Sequence, residues 1–240
     1  MALDLSVTVL HYDRPDLTIP CLESIFSQTI PCEHEIIVVD NGSKEAWLPI
    51  GRERVVHLPV NRGNIGGQNA CFEQAKGAWV LFVANDVRLT LGCLNWLWMS
   101  RHSYGVIQPV LSRPDARIDN CGLKWWWPGY GVSQRQWRWH QPVEAFTSTC
   151  YLMPRQLWTD AGKFDETLIS SHEDMDMSLT IRQSLGGYLA VCPSAKAIHL
   201  GNATLRHQAT HTRQAFHRDR LKVLRKHYRS VDYWSRYLTI

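Results

Sequence analysis

Short apolar runs alternate with helix-like segments over residues 1–90, and this alternation constrains the fold more than any other feature of the chain. The runs have the length of strands, and the segments between them have the length and end signals of helices. The predicted strands are Ser6–Leu10, Glu35–Val39, Val55–Leu58 and Trp79–Val83, and the predicted helices are Leu17–Gln28 and Ile65–Lys76. A β-α-β-α-β order predicts a parallel sheet covered by helices.

The second half of the chain is less regular. Leu91–Arg101 is typical of a helix, and Lys124–His140 is predicted to be a loop crowded with aromatic residues. Strands are predicted over Gly105–Leu111, Phe146–Met153 and Tyr188–Cys192, and a helix is predicted within Ser171–Gly187. Because no repeat or Ser/Gly linker divides the chain, we expect two lobes of one unit, about 1–100 and 101–204, followed by an extension over 205–240.

The composition excludes several classes of protein. With 45% hydrophobic residues, the chain has enough apolar surface to fold, which excludes intrinsic disorder. No apolar run approaches the ~18 residues of a membrane span, and Met1–Asp4 lacks the features of a secretion signal. Seven scattered cysteines without a C-x-x-C pair favour reduced thiols, so a cytoplasmic location is expected.

The chain carries six short motifs, and most of them place polar residues after predicted strands or at the start of predicted helices. Ligands of parallel sheets bind at the carboxyl ends of the strands. In chain order the motifs are Val9–Asp16, Val38–Ser43, Asn61–Asn69, Leu81–Asp86, Gly162–Glu166 and His172–Met177. As an ordered set they resemble the family 2 glycosyltransferases with the GT-A fold. The branch they resemble most is rhamnosyltransferase-like and builds bacterial surface polysaccharides.

The resemblance implies both a fold and a reaction. The fold would be a Rossmann-like, mixed and mainly parallel α/β sheet flanked by helices, with a smaller acceptor-side lobe and a C-terminal basic helix. The reaction would be an inverting transfer of a sugar from a UDP- or dTDP-linked donor to a hydroxyl of a saccharide or lipid-linked acceptor. It would proceed by one displacement at the anomeric carbon.

The resemblance also implies a binding site for the nucleotide-sugar. The residues that match the family's donor-binding positions are His11, Asp13, Arg14, Asp40, Asn61, Ile65, Gly66, Asn69 and Asn85. Read without the family, Asp40–Gly42 also forms a plausible turn, and the glycine-rich segment from Asn61 is also a plain entry into a helix. A helix N-terminus favours anions such as a diphosphate.

A divalent cation, Mg²⁺ or Mn²⁺, is implied as cofactor by the acidic motif at the end of the central strand. Here Asp86 occupies the last position of that motif, and Ala84 stands where the first acidic residue is expected. One carboxylate with substrate phosphates can still hold a hard cation. His199 resembles the family's late histidine, which reaches the metal or the diphosphate, although a single histidine after a strand is also a common structural residue.

The general base is expected in the Glu173–Asp174 pair, which matches the family's acidic dipeptide at the start of a helix. A positioned carboxylate contributes on the order of 10²–10⁴-fold to removal of a hydroxyl proton. Asp174 is the first candidate for the base, Glu173 the second and Asp176 the third. Ser171–Asp174 also matches a helix capping box, and the helix dipole would lower the pKa of Asp174 whereas nearby acids would raise it.

Aromatic and basic residues dominate two segments towards the end of the chain. Five of the eleven tryptophans lie between Trp125 and Trp139, and Trp126 and Trp127, with Asp176, are assigned to the acceptor side. Aromatic rings stack on sugars, but packing within the second lobe explains the tryptophans equally well. No nucleic-acid recognition motif accompanies them, so nucleic acid is not an expected partner.

The segment from Arg206 to Arg229 contains eight lysine and arginine residues and one acid. Such a basic helix is expected to contact phosphate-bearing partners or an anionic membrane surface, and a solvated helix face is the alternative. A peripheral position on the inner face of the cytoplasmic membrane would bring the chain close to a lipid-linked acceptor.

Two other functions stay open at this point. A nucleotidyltransferase of related fold would have a basic, glycine-rich loop after the first strand, and Leu10–Asp16 does not provide one. A catalytically weak carbohydrate- or nucleotide-binding protein of the same fold is favoured by Ala84 and opposed by the retained acids.

Overall fold

The structure, a computed structural model, describes residues 3–103, 105–126, 130–134, 143–169, 171–201 and 213–228 of the 240-residue chain. The strands within these ranges are β1 Leu5–His11, β2 His34–Asp40, β3 Arg54–His57, β4 Trp79–Ala84, β5 Val87–Leu89, β6 Val106–Ser112, β7 Ile118–Asn120, β8 Leu123–Trp126, β9 Tyr130–Ser133, β10 Cys150–Pro154 and β11 Leu189–His199. The helices are α1 Pro15–Phe26, α2 Gly63–Gln74, α3 Cys93–Ser100, α4 Arg155–Asp160, α5 Glu173–Ser184 and α6 Arg213–His227, with a short 3₁₀ turn at Arg101–Ser103.

The main sheet has the strand order β3-β2-β1-β4-β10-β6-β11-β5, and β7 pairs with the outer part of β6. Strands β1 to β4 are parallel to one another, and β6 is parallel to β11. Strand β10 runs antiparallel between β4 and β6, and β5 runs antiparallel to β11. The expected mixed, mainly parallel sheet flanked by helices is therefore confirmed.

The sheet is buried on both faces because successive strand residues point to opposite sides and nearly all are apolar. In β4, Val80 and Phe82 pack with the residues of α2, α4, α5 and α6, whereas Leu81 and Val83 pack with those of α1 and α3. This double burial explains why the central runs are continuously apolar rather than alternating.

The segment predicted to be an aromatic loop contains two short antiparallel strands, β8 and β9, in which Leu123 pairs with Ser133 and Trp126 with Tyr130. The expectation of an unstructured loop over the whole of 124–140 is therefore wrong for β8 and β9, while Trp127 and residues 135–140 lie outside the described residues. The expected basic C-terminal helix is confirmed as α6. Within the described ranges, no helix is long and apolar enough to cross a membrane.

Parallel direction brings four strand ends to one edge of the sheet. His11 ends β1, Asp40 ends β2, Ala84 ends β4 and His199 ends β11. Because β10 is antiparallel, its beginning lies at the same edge, where the backbone N–H of Ala84 donates to the carbonyl of Thr149 at 2.9 Å. This edge is the place where a ligand of such a sheet is expected.

Candidate active site

Asp40 holds together the loop that follows β2. Its buried carboxylate accepts the backbone N–H groups of Ser43 and Trp47, both at 3.0 Å, and lies 3.1 Å from Nδ1 of His57. Burial alone would raise the pKa of Asp40, but the hydrogen bonds from Ser43, Trp47 and His57 outweigh it and hold the pKa below its ordinary value. Asp40, which the sequence analysis assigned to the donor site, therefore also stabilises the turn that was the alternative interpretation.

The loop after β1 is tied to the loop after β2. The N–H of Asp13 donates to Oγ of Ser43 at 3.0 Å, and the carboxylate of Asp13 accepts the N–H of Lys44 at 2.8 Å. The buried ring of His11 lies 2.7 Å from Oγ1 of Thr18 and packs against Trp47. The two loops therefore form one preorganised wall.

Arg14 and Asn85 complete this wall on the side of β4. Arg14 makes a bidentate ion pair with Asp16, and the amide of Asn85 donates to Thr18 at 3.2 Å. The hydrogen bond with Asp16 raises the pKa of Arg14, and the charge of Asp86 adds to it. The residues predicted to bind the donor, His11, Asp13, Arg14, Asp40 and Asn85, are thus brought together by three neighbouring strand ends.

Asn41 and Asn61 fix the start of α2. The Asn41 amide donates to Oδ1 of Asn61 and to the carbonyl of Gly63, and its oxygen accepts the N–H of Arg62. The turn is close enough that a Cβ on Gly42 would lie 2.6 Å from the backbone of Asn61. Only glycine fits there, since the residue also has a φ of +74°.

The remaining predicted residues of α2 are buried behind this turn. Ile65 lies in the core, and a Cβ on Gly66 would meet Arg62 and Glu166. The Asn69 amide donates to Phe164 and Glu166, and its oxygen accepts the N–H groups of Phe164 and Trp158. All four hydrogen-bonding positions of Asn69 are therefore filled, and the side chain anchors the Gly162–Glu166 motif to α2.

Asp86 and His199 lie side by side, as predicted. Asp86 lies between β4 and β5, and Nε2 of His199 is 3.4 Å from its Oδ2. The other ring nitrogen, Nδ1, is 2.8 Å from Oδ2 of Asp119. Burial opposes the charged ring, but the hydrogen bonds and charges of Asp86 and Asp119 raise the pKa of His199 above its ordinary value.

The Asp86–His199 pair fits the divalent cation that the motifs imply. Two ligands about 2.1 Å from one octahedral ion and at right angles to each other are about 3 Å apart, close to the observed spacing of Oδ2 and Nε2. A carboxylate and an imidazole also suit Mg²⁺ or Mn²⁺ chemically. Across the described residues, no group of three or more His, Cys, Asp or Glu side chains is arranged to hold a metal by itself.

Glu173 and Asp174 begin α5 at the same edge. Oε1 of Glu173 accepts the hydroxyl of Ser148 at 2.7 Å and the amide of Asn64 at 3.3 Å, so the pair is tied both to the start of β10 and to α2. Asp174 accepts the N–H of Met175 at 2.8 Å. Burial, followed by the charge of Glu173, raises the pKa of Asp174 to about 8.

The capping-box interpretation of Ser171–Asp174 is wrong. The residue that precedes the helix is His172, which has a left-handed φ of +76° and gives no side-chain cap. The Ser171 hydroxyl contacts the His172 ring instead, at 2.7 Å, and the ring packs on Phe216 of α6. Asp174 accepts a backbone N–H and has a raised pKa. A displaced pKa is a common property of catalytic acids and bases.

Asp176 faces the C-terminal helix. Its buried carboxylate accepts Nζ of Lys226 and lies 2.7 Å from Nε2 of His227. Burial opposes ionisation, but His227 and Lys226 together lower the pKa of Asp176. Of the other residues assigned to the acceptor side, Trp127 lies outside the described residues, and only the backbone of Trp126 is described, in β8.

Several residues of this edge were missed from the sequence. Asp119, Asn41, His57 and Ser148 all contact predicted site residues. Asn41 lies inside the Val38–Ser43 motif, so that motif could have indicated its role in fixing the start of α2. Asp119 and Ser148 are next to no motif, and His57 merely follows the apolar pair Val55–Val56.

Comparison with known proteins shows the family and the fold of the chain. Among curated proteins, the chain is similar to O-antigen biosynthesis protein RfbC of Myxococcus xanthus, with 25% identity over 85% of this chain and 18% of that protein. The chain spans less than a third of the length of the curated relatives it matches. None of these names identifies a rhamnosyltransferase-like branch, which stays a prediction.

Two solved structures share the fold. GalNAc-T7, solved with UDP, GalNAc and Mn²⁺, has a TM-score of 0.69 at 15% identity, over 82% of this chain and 44% of that chain. S. aureus TarS 1–349 in complex with UDP-GlcNAc has a TM-score of 0.61 at 22% identity, over 84% of this chain and 61% of that chain. The GT-A fold is therefore confirmed. Residues 6–158, more than half of the sequence, match the model of glycosyl transferase family 2, and the chain belongs to that family.

Proposed function

We propose that the chain is an inverting glycosyltransferase that moves a sugar from a UDP- or dTDP-linked donor to a hydroxyl of a saccharide or lipid-linked acceptor. The carrying observation is that three groups meet at one sheet edge: the wall built by His11 and Asp40, the Asp86–His199 pair, and the Glu173–Asp174 pair. Such a transfer needs a grip on the nucleoside, neutralisation of the departing diphosphate and a base for the acceptor. Each group supplies one of these needs.

The donor would bind along the preorganised wall. His11, Asp13, Arg14, Asp40 and Asn85 would face the nucleoside, and the start of α2 at Asn61 would face the diphosphate. Ile65 and Gly66, which are buried behind that turn, would support it from inside. Because hydrogen bonds within the chain already fix these loops, little conformational freedom is lost on binding. Asn69 would act at a distance, by holding the Gly162–Glu166 motif in place.

Asp86 and His199 would hold a divalent cation together with oxygen atoms of the diphosphate. When bound, the cation neutralises the charge that develops on the departing nucleoside diphosphate. The single protein carboxylate follows from Ala84, and substrate oxygens commonly complete a Mg²⁺ or Mn²⁺ site. GalNAc-T7, which shares the fold, is solved with UDP and Mn²⁺.

Asp174 would accept the proton of the attacking acceptor hydroxyl. A base works best with a pKa close to the working pH, and the pKa of about 8 places Asp174 far closer to neutrality than an ordinary aspartate. Glu173, fixed by Ser148 and Asn64, keeps the pair oriented and supplies the negative charge that raises the pKa of Asp174. Attack from the face opposite the leaving diphosphate would invert the anomeric configuration.

The biological setting is proposed as bacterial surface polysaccharide synthesis. It is supported by the likeness to an O-antigen biosynthesis protein. Because lipid-linked acceptors lie at the inner face of the cytoplasmic membrane, we propose a cytoplasmic protein that reaches this face through its basic helix α6.

A thermal-shift panel of UDP-, dTDP- and GDP-sugars tests the proposal, with Mn²⁺ or with EDTA. A ligand at about 100 times its Kd stabilises the folded state by about 2.7 kcal/mol, so a bound donor raises Tm measurably. We expect a shift with a UDP- or dTDP-sugar in Mn²⁺ and a smaller shift in EDTA or in D86N. The exposed variant D160N serves as the control and should behave as the wild type.

The same samples are then incubated with candidate saccharide and lipid-linked acceptors. Acceptor-dependent release of nucleoside diphosphate, with a product of inverted anomeric configuration by NMR, is the expected result. Donor binding without release under any acceptor would indicate a nucleotide-binding protein instead, and no shift with any nucleotide would contradict the donor site itself.

A further inference from the structure

We propose that Asp119 is a positioning residue that orients His199 toward the cation and diphosphate site. The proposal rests on the function proposed above, because it assigns His199 to that site. Asp119 lies in the short strand β7, outside every motif that indicates the family. Its assignment therefore comes from the geometry alone.

The contact is short and directed. Oδ2 of Asp119 is 2.8 Å from Nδ1 of His199, while Nε2, the other ring nitrogen, is 3.4 Å from Asp86. An ionised carboxylate can only accept, so Nδ1 carries the proton and the ring is held with Nε2 toward Asp86. Histidine ligands of metals commonly donate their second N–H to a carboxylate in this way.

The backbone of β7 directs Asp119 to this position. In the antiparallel pairing with β6, Ser112 pairs with Ile118 but Leu111 pairs with Asn120, so Asp119 is the extra residue of a β-bulge. Ser112 also pairs with Ile198 on the opposite side of β6, and His199 is the next residue of that strand. Bulges redirect side chains and are common beside active sites.

Neighbouring side chains brace the bulge. The side chain of Asn120 accepts the N–H of Gly122 at 2.8 Å and the amide of Gln108 at 3.2 Å, and it donates to Ser133 at 3.1 Å. Oδ1 of Asp119 accepts Nε of Arg113 at 3.0 Å, which leaves Oδ2 for His199. The carboxylate is thus fixed from one side and directed at the imidazole on the other.

A merely structural role for Asp119 would come from Arg113. That ion pair is half-exposed, and exposed pairs of this kind contribute little to folding. The two interpretations differ in what is lost: a positioning residue affects the cation site through His199, whereas a structural ion pair affects unfolding alone.

The experiment compares D119A and D119N with D115N, a control on the same β6–β7 connection. Asp115 pairs with Arg117 and is exposed. The affinity for Mn²⁺ is measured at saturating UDP from the EPR signal of free Mn²⁺, together with kcat, KM and Tm. The loss of a carboxylate that orients a metal ligand weakens binding by about 10–100-fold. We expect this loss in D119A, a smaller loss in D119N, whose amide oxygen can still accept from Nδ1, and none in D115N.

The double variant H199A/D119A separates the two interpretations. If Asp119 acts through His199, D119A has no further effect on Mn²⁺ affinity once His199 is absent. Wild-type affinity in D119A, or losses that add in the double variant, would overturn the positioning role while leaving the proposed function intact. A wild-type chain that holds no Mn²⁺ with UDP would instead contradict the proposed cation site and, with it, this assignment.

Discussion

Asp40 and Asp174 are carboxylates at the same sheet edge, yet their pKa values are displaced in opposite directions. Asp40 is surrounded by donors, two backbone N–H groups and the ring of His57, which lower its pKa. The strongest influences on Asp174 are burial and the carboxylate of Glu173, which raise its pKa. The donor wall, meaning the loops after β1 and β2 that we propose to bind the donor, therefore satisfies Asp40 with hydrogen bonds, whereas the start of α5 surrounds Asp174 with influences that disfavour its charge.

The difference separates shape from chemistry. A carboxylate whose hydrogen bonds are filled from within the chain keeps a loop in place, and its loss exposes buried donors. A carboxyl whose pKa the fold raises lowers the stability of the folded chain when it is ionised, and it binds a proton more tightly than an ordinary carboxyl. Substitutions on the two sides should therefore fail in different ways.

The largest expected effect is on the rate in D174N. Without the carboxylate, the acceptor hydroxyl loses its base, and transfer should fall by about 10²–10⁴-fold. Donor affinity should stay near the wild-type value. Tm should be unchanged or higher, because an amide does not ionise and therefore avoids the cost that burial and Glu173 impose on ionising this carboxyl. The measurements are product formation, UDP titration by calorimetry and thermal unfolding.

The control for D174N is D160N, which changes an exposed aspartate at the end of α4 and should leave all three quantities unchanged. Near wild-type transfer by D174N would remove Asp174 from the mechanism. If E173Q abolished transfer while D174N did not, the base would have to be assigned to Glu173 instead.

On the donor wall, D40A should lose stability and donor binding together. The N–H groups of Ser43 and Trp47 and the ring of His57 lose their acceptor, at a cost of about 2–4 kcal/mol in the free energy of unfolding. Denaturant unfolding and UDP titration at low temperature, where the variant stays folded, measure both effects.

The matched control is E53A. Glu53 is another buried acid that accepts two backbone N–H groups, those of Ile50 and Gly51, but it lies before β3, at the opposite end of the strand from the site. We expect a comparable loss of stability with unchanged donor affinity. Unaltered UDP affinity in folded D40A would mean that Asp40 only shapes the loop.

The donor wall could be predicted from the sequence because it follows simple rules. The apolar runs that become β1, β2 and β4 are buried on both faces, so their polar neighbours His11, Asp40 and Asp86 necessarily lie at strand ends. The predicted bounds of these strands agree with the structure to within one residue at each end.

The second half obeys fewer local rules. The sequence predicts a strand over Tyr188–Cys192, but β11 continues to His199 past a register shift between Cys192 and Lys196, where Pro193 and Ser194 interrupt the apolar run. Strand β10 is inserted antiparallel between β4 and β6, and no periodic pattern encodes that choice. The contact between Asp119 and His199 depends on the extension of β11 and on the bulge in β7, so no local pattern in the sequence reveals it.

The pH dependence of transfer sharpens the contrast by a smaller factor. As Asp174 must be ionised to act as base, kcat should rise about tenfold per pH unit below about 8 and then level off. D174N should show a flat residual rate, and a wild-type profile that is flat from about pH 6 to 9 would contradict the assignment. The sign for stability is opposite: the folded chain binds the proton more tightly, so this carboxyl's contribution to the free energy of unfolding falls as pH rises from about 4 to about 8.

The smallest expected effect concerns α6, which pairs with the buried Asp176 of α5 on one side and presents basic residues outward on the other. Lys226 and His227 pair with Asp176, and Val223 and Leu224 are buried. The proposed membrane contact therefore falls to outward residues such as Arg225.

Each basic residue near an anionic surface contributes about 1 kcal/mol, so R225Q should bind phosphatidylglycerol vesicles about fivefold more weakly at low salt. R117Q, an exposed arginine of the β6–β7 connection, is the control. Sedimentation with vesicles at about 0.05 M and 0.3 M salt measures the effect, because screening should release the wild type at the higher concentration. Absence of wild-type binding at low salt would restrict α6 to its packing against α5.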